Sequence, residues 1–275
     1  MKARLILGSL FIGALIISLW WDLGNDFAYA SFSIVVILGV GGALEWNRIM
    51  QGSVRAYPIL LVAAALLYPF VELFRIRCNG SQAVSDFFFF FIFVFVVLCR
   101  AILAGHVADG LDRIARTMLG FLLLYFFYRL IPLLMLRDEG GGLYAAYSLV
   151  LTSKACDIGA YLIGRGFGKR KLIPRVSPGK TVAGAVGGLS FSAIAGCICI
   201  PLLGSGSLVY GILFGVIIGG ITMMSDLAES LIKRCAKVKD SASLMPEMGG
   251  VLDLIDSLIL AAPAGYLMLI VLPGF

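Results

Sequence analysis

Histidine is almost missing from this sequence: His106 is the only one in 275 residues. It stands beside Gly105 at the end of an apolar run, where a polar helix-end residue is the ordinary reading. Catalysis by a Ser-His-Asp set and metal binding by clustered histidines are therefore disfavoured. The six cysteines, at 78, 99, 156, 197, 199 and 235, form no CxxC pair, which argues against a thiolate metal site or a disulfide framework. Charge is scarce too. Only 14% of residues are charged, against about 25% in a soluble domain. Strict apolar–polar alternation is also absent, which argues against a membrane barrel.

Apolar residues are abundant: they make up 60% of the chain, and the mean hydropathy is +1.00. They fall in runs near 5–21, 28–46, 57–76, 86–105, 113–136, 143–165, 181–203, 207–235 and 250–272. A bilayer core needs about 20 apolar helical residues, and unpaired strand edges cannot sit in hydrocarbon. The expected fold is thus all-α, a polytopic transmembrane helix bundle of about nine spans. The eighth run is too long for one span and ends in charge. It is expected to leave the bilayer near Ser225 or to continue into a polar cavity.

With the N-terminus in the cytoplasm, 17 of the 22 lysines and arginines fall in inside segments. The outside loops hold Arg75, Arg77 and Arg137, and Arg129 and Lys154 fall in spans. This bias places the N-terminus inside. It also accounts for the net charge of +6 without a nucleic-acid partner. Lys2 and Arg4 before an apolar stretch, with Ala28-Tyr29-Ala30 following, also fit a secretory signal, which would remove one span.

The two halves differ. Residues 1–142 read as hydrophobic scaffold helices that leave room for homodimer contacts. Glu45-Trp46-Asn47-Arg48 reads as a membrane–cytoplasm boundary, and the aromatic run Phe87 to Phe91 reads as lipid-facing or packed between helices. Residues 143–275 carry charge inside the apolar pattern: Lys154, Asp157, Asp226, Glu229, Lys233, Arg234, Asp253 and Asp256. Ionised groups at membrane depth cost about 2.5–3.5 kcal/mol each, so a polar cavity on the cytoplasmic side is expected.

Three elements could carry chemistry. On a helix, Asp226, Glu229, Ser230 and Lys233 share one face, which also fits an amphipathic helix end with internal salt bridges. Asp253 and Asp256 point the same way. The preceding Gly249-Gly250 allows close backbone approach and leaves N–H groups for an anion, although two aspartates there also complement a helix dipole. In the loop 164–181, Ser177-Pro178-Gly179-Lys180-Thr181 is similar to part of a phosphate loop but lacks the first glycine and a preceding strand. Carboxylates without His or Cys suit a hard cation, Mg²⁺ first, and a second cation fits the carboxylate surplus. The combination describes phosphoryl or nucleotidyl transfer.

The string Ser230-x-Ile232-Lys233-Arg234-x4-Lys239-Asp240-x-Ala242-x3-Pro246-x2-Gly249-Gly250-Val251-x-Asp253-x-Ile255-Asp256 resembles the signature of the phosphatidate cytidylyltransferases, or CDP-diacylglycerol synthases. Asp157-Ile158-Gly159-Ala160-Tyr161 and Ser177-Pro178-x-Lys180-Thr181 look like that family's middle region. The likeness covers about 150–260. It departs at Met248, where His is usual, and at Leu254, where Arg is usual. The resemblance implies a bacterial inner-membrane enzyme joining CTP and phosphatidic acid at a cytoplasm-facing site. Asp226, Lys233, Asp253 and Asp256 would be catalytic. Asp157, Asp226, Asp253 and Asp256 would hold metal. Ser177, Lys180, Thr181, Glu229, Arg234, Lys239, Asp240, Gly249 and Gly250 would bind substrate. An anion transporter, which predicts paired broken helices, and another metal-dependent lipid enzyme such as a polyprenol kinase are the rival readings.

Overall fold

A computed structural model describes residues 13–14, 16–25, 28–50, 55–78, 80–105, 107–135, 141–202, 207–238, 241 and 249–271. In chain order the elements are α1 (Tyr29–Ile49), α2 (Pro58–Arg77), α3 (Gln82–Ala104), α4 (Gly110–Phe127), α5 (Leu130–Met135), α6 (Gly141–Phe167), β1 (Lys171–Ile173), β2 (Ser177–Thr181), α7 (Val182–Leu202), α8 (Leu208–Cys235) and α9 (Val251–Val271). Residues 16–23 are also helical.

Among the described residues, seven helices are long and apolar enough to cross a membrane. The protein is thus a helical, polytopic membrane protein. Helix α6 is not one of the seven, because Thr152, Ser153, Lys154 and Asp157 make its middle too polar within two turns. The first apolar run falls partly outside the described residues. The eighth is one helix: α8 runs unbroken through Ser225 for 28 residues, about 42 Å at 1.5 Å per residue.

The chain forms two compact units. The first comprises Met1–Asp22, Tyr29–Pro132 and Asp240–Leu254; the second comprises Leu23–Ala28, Leu133–Lys239 and Ile255–Phe275. The stretch Asp240–Leu254 therefore groups with the N-terminal helices.

In the first unit, buried Asp22 accepts hydrogen bonds from Ala30 N and Ser31 N at 2.9 and 2.8 Å, which fills orphan donors at the start of α1. Pro58 sits in the first turn of α2, where its missing N–H costs nothing. Pro69 lies inside α2 and cannot donate to the carbonyl of Ala65. The Tyr128 hydroxyl donates to that oxygen instead, at 2.7 Å. The run 113–136 is not one helix. It breaks at Tyr128 and Arg129, four and three residues before Pro132, whose ring cannot pack behind the carbonyl of residue 128; Ile131 N takes that carbonyl at 3.0 Å in a tighter turn.

In the second unit, α7 packs between α6 and α8. Contact between α7 and α8 is at backbone range: a Cβ on Gly215 would lie 2.2 Å from Ser192 O, and one on Gly196 would lie 2.3 Å from Gly211 O. Small residues that let backbones meet are how apolar helices associate in lipid. The segment expected as a plain loop is an antiparallel hairpin, with Lys171 opposite Thr181 and Ile173 opposite Ser177. Pro174 follows β1 and starts the turn, closed by Val176 N to Ile173 O at 3.2 Å. This short sheet leaves the all-α character intact and places Lys180 on a strand.

Candidate active site

Three lysine–carboxylate pairs gather in the second unit. Lys154 Nζ lies 3.3 Å from Asp157 Oδ2, one turn along α6. Lys180 Nζ, on β2, lies 2.6 Å from Asp226 Oδ2 on α8. Lys233 pairs with Glu229, one turn along α8, and both are buried. A fourth carboxylate, Asp256 on α9, has Asp226, Glu229, Asp157 and Lys154 as its charged neighbours. These side chains come from four elements. Two carboxylates were expected on one face of α8; the structure sends Asp226 toward the hairpin and Glu229 back to Lys233.

Ser225 fixes α8 against α9. Its hydroxyl donates to the carbonyl of Asp256 and accepts from Leu260 N at 3.2 Å. It thus stands at the rung that residues 256 and 260 would otherwise share within the helix. Asp226 is the next residue, so this contact brings the Asp226 and Asp256 backbones together. Lys154 Nζ also reaches Ser257 Oγ at 2.7 Å, which ties α6 to the same turn of α9. Lys154, Ser225 and Ser257 were not among the expected site residues. Lys154 was visible as charge inside an apolar run, and Ser225 stands in a stretch, Ser225-Asp226-Leu227-x-Glu229-Ser230, that resembles the family's lead-in to its signature; Ser257 gave no signal.

Not every expected residue joins this cluster. Thr181 is buried, and its Oγ1 accepts from Gly184 N at 3.1 Å, so it caps α7. Ser177 is half-buried at the start of β2, and Arg234 is exposed on α8. Lys239, Asp240 and Met248 lie outside the described residues, as does His106.

The start of α9 belongs to the first unit, and there the expectation of free N–H groups fails. Gly250 N donates to Asp253 Oδ2 at 2.7 Å. Val251 N and Leu252 N donate to the two carboxylate oxygens of Glu45, at 2.7 and 2.8 Å. Ser241 Oγ lies 2.6 Å from Asp253 Oδ2 and 2.8 Å from Glu45 Oε2, and Ser241 N donates to Asp253 at 3.0 Å. These donors are filled from within the chain. Gly249 adopts φ +89, and a Cβ on Gly250 would lie 2.1 Å from Ser241 Oγ and 2.2 Å from Glu45 Oε2. The glycines make room for side chains of this protein.

The donor chemistry suits a hard cation, because the charged ligand-type groups of the cluster are carboxylates; the neighbouring Cys156 thiol is buried and donates to Gly219 O at 3.4 Å. Among the described residues, no set of three or more His, Cys, Asp or Glu is placed to hold an ion. Mg²⁺ asks for less, taking one or two carboxylates and filling its octahedron with water and substrate phosphate. The Lys180–Asp226 ion pair is not sealed off: its side chains are 23% and 31% exposed.

A sequence model of the Cytidylyltransferase family matches residues 2–272. The chain belongs to that family. Among relatives of this cytidylyltransferase-family chain, the phosphatidate cytidylyltransferase of Pseudomonas aeruginosa is 33% identical over 225 residues, 81% of each chain. That of Haemophilus influenzae is 42% identical over 156 residues, 51% of this chain and 54% of the relative. The uncharacterized protein YnbB of Escherichia coli is 45% identical over 125 residues, 46% of this chain and 42% of the relative. The alignments with the last two thus span about half of each relative's length.

Proposed function

We propose that the protein joins CTP and phosphatidic acid to give CDP-diacylglycerol and pyrophosphate. The observation that carries this reading is the set of paired lysines and carboxylates around Asp256, in a chain of the cytidylyltransferase family. A lone carboxylate cluster repels phosphate. Lysines held beside it can exchange their carboxylate partners for phosphate oxygens.

In the reaction, a phosphate oxygen of the lipid attacks the α-phosphorus of CTP. The bond from that phosphorus to the bridging oxygen breaks, and pyrophosphate leaves with the electron pair. The lipid phosphate is already anionic near neutral pH, so no strong base is required. Lys180 and Lys233 bind the triphosphate and offset charge that moves onto the leaving oxygen. Arg234 binds phosphate from the exposed side of α8, Lys239 is a further cation for it by sequence, and Ser177 donates a hydrogen bond. Asp226 and Asp256 would hold Mg²⁺, with Asp157 in reserve behind Lys154. That ion would supply positive charge across the phosphates. Asp253, with its Oδ2 engaged by three donors, orients the start of the helix that carries Asp256.

The spans run nine across a bacterial inner membrane, with the N-terminus in the cytoplasm and the site in a polar cavity on that side. The acyl chains stay in the bilayer and the headgroup enters sideways. Purified protein given CTP, phosphatidic acid and Mg²⁺ should release pyrophosphate and form CDP-lipid. Turnover should vanish on chelation and return with Mg²⁺. A folded preparation that makes no CDP-lipid from these substrates would sink the reading.

A further inference from the structure

The signature helix α9 is held at its start by a residue some two hundred positions earlier in the chain. Glu45 lies on α1, in a stretch that reads as a plain membrane boundary, and it is 1% exposed. Its Oε1 accepts from Val251 N, and its Oε2 accepts from Leu252 N and meets the Ser241 hydroxyl. Helix starts leave N–H groups without intrahelical partners. In an apolar setting each unfilled donor is costly, and a carboxylate also complements the positive end of the helix dipole. Glu45 therefore meets a demand that water meets in a soluble protein.

We propose that Glu45 is a positioning residue for the reaction. It clamps the first turn of α9 and shares Ser241 with Asp253, and so sets the direction in which Asp253 and that first turn are presented. Two facts separate this from ordinary packing. Both carboxylate oxygens are used, each on a different backbone donor. The residue just before the two donors, Gly250, leaves no room for a Cβ beside Glu45 and Ser241, so the backbone itself is shaped around this contact. A glutamine keeps the size of Glu45 but has one acceptor oxygen. Its amide NH₂ would face a backbone N–H, and one donor of α9 would be left unpaired.

The inference rests on the proposed reaction, and its test has one readout that does not. Glu45→Gln and Ser241→Ala are purified alongside the wild type. Hydrogen–deuterium exchange over 249–256 should quicken in both, more in Glu45→Gln, while exchange in α7 and α8 stays unchanged. With CTP and phosphatidic acid, kcat of Glu45→Gln should fall about 10- to 100-fold, as for loss of a group that orients a ligand, with KM for CTP unchanged and the thermal midpoint lowered by only a few degrees, too little to account for the loss of rate. Glu45→Asp, which keeps the charge but is one methylene short, should recover part of kcat. Unchanged exchange overturns the proposal, and so does a kcat loss no larger than the loss of folded protein. If Glu45→Gln fails to fold, Ser241→Ala decides on the same two readouts. A wild type without turnover would fail the proposed reaction, while exchange would still judge the Glu45 contact.

Discussion

Arg129 in the first unit and Lys180 in the second are both cations among apolar helices, but they are built in differently. The Arg129 guanidinium takes both oxygens of Asp86 at 2.9 Å, reaches Glu72 at 3.1 Å, and lies 4.8 Å from the Tyr125 ring centre. Arg75 braces Glu72 from its other side at 2.6 Å. Tyr68 bonds to both carboxylates. That is a planar fork locked by several partners. Lys180 is a point charge on a flexible stem, in an ion pair with Asp226. Lys154 pairs with Asp157 with side chains 28% and 37% exposed, against 9% and 1% for Arg129 and Glu72. The first cluster is closed on itself. The second has cations that can change partners, which is what a substrate phosphate requires.

That contrast can be broken from either side. The largest effect is expected from Asp226→Ala: turnover should drop about 10³-fold while the thermal midpoint in detergent holds. Equal rates for the variant and wild type would remove Asp226 from the site. Arg129→Met should do the opposite. It leaves buried Glu72 and half-buried Asp86 undercompensated and should cost about 3–5 kcal/mol of stability, read by chemical denaturation, with activity per folded molecule unchanged. Lys180→Ala should raise KM for CTP about 10- to 100-fold, the worth of one charged hydrogen bond, in steady-state assays. Gly215→Ala, which pushes α7 off α8, should destabilise by about 1–3 kcal/mol and serves as a packing control. Thr181→Val should cost about 1 kcal/mol through the lost cap of α7 with little change in KM. A large KM effect there would return Thr181 to the substrate-binding set.

The helices were legible because membrane spans announce themselves by length and composition. The apolar runs from 28–46 onward each coincide with a described helix, apart from the break at Tyr128, which needed both Pro132 and a partner at Ala65 to explain. The hairpin was not legible. Its strands have three and five residues and contain Pro and Gly, so no alternation could register. Charge inside apolar runs singled out Lys154, Asp157, Asp226, Glu229, Lys233 and Asp256, which the second unit holds, together with Asp253, which falls in the first. Glu45, Glu72 and Asp86 are also charges within apolar runs, but a residue near the end of a run reads equally as an interface anchor. Which N–H groups stay free at Gly250 could not be read locally, since the group that fills its neighbours comes from α1.

The hydroxyl of Tyr128 on the carbonyl that Pro69 abandons has a consequence for how this chain is made. Ala65 emerges during synthesis 63 residues before Tyr128. Until the later helix arrives, α2 carries a backbone oxygen with no partner from its own helix, in a place where lipid can provide none. The helix is long and apolar enough to enter a bilayer alone, yet it is not finished alone. Its insertion is completed by a segment that the ribosome has still to deliver.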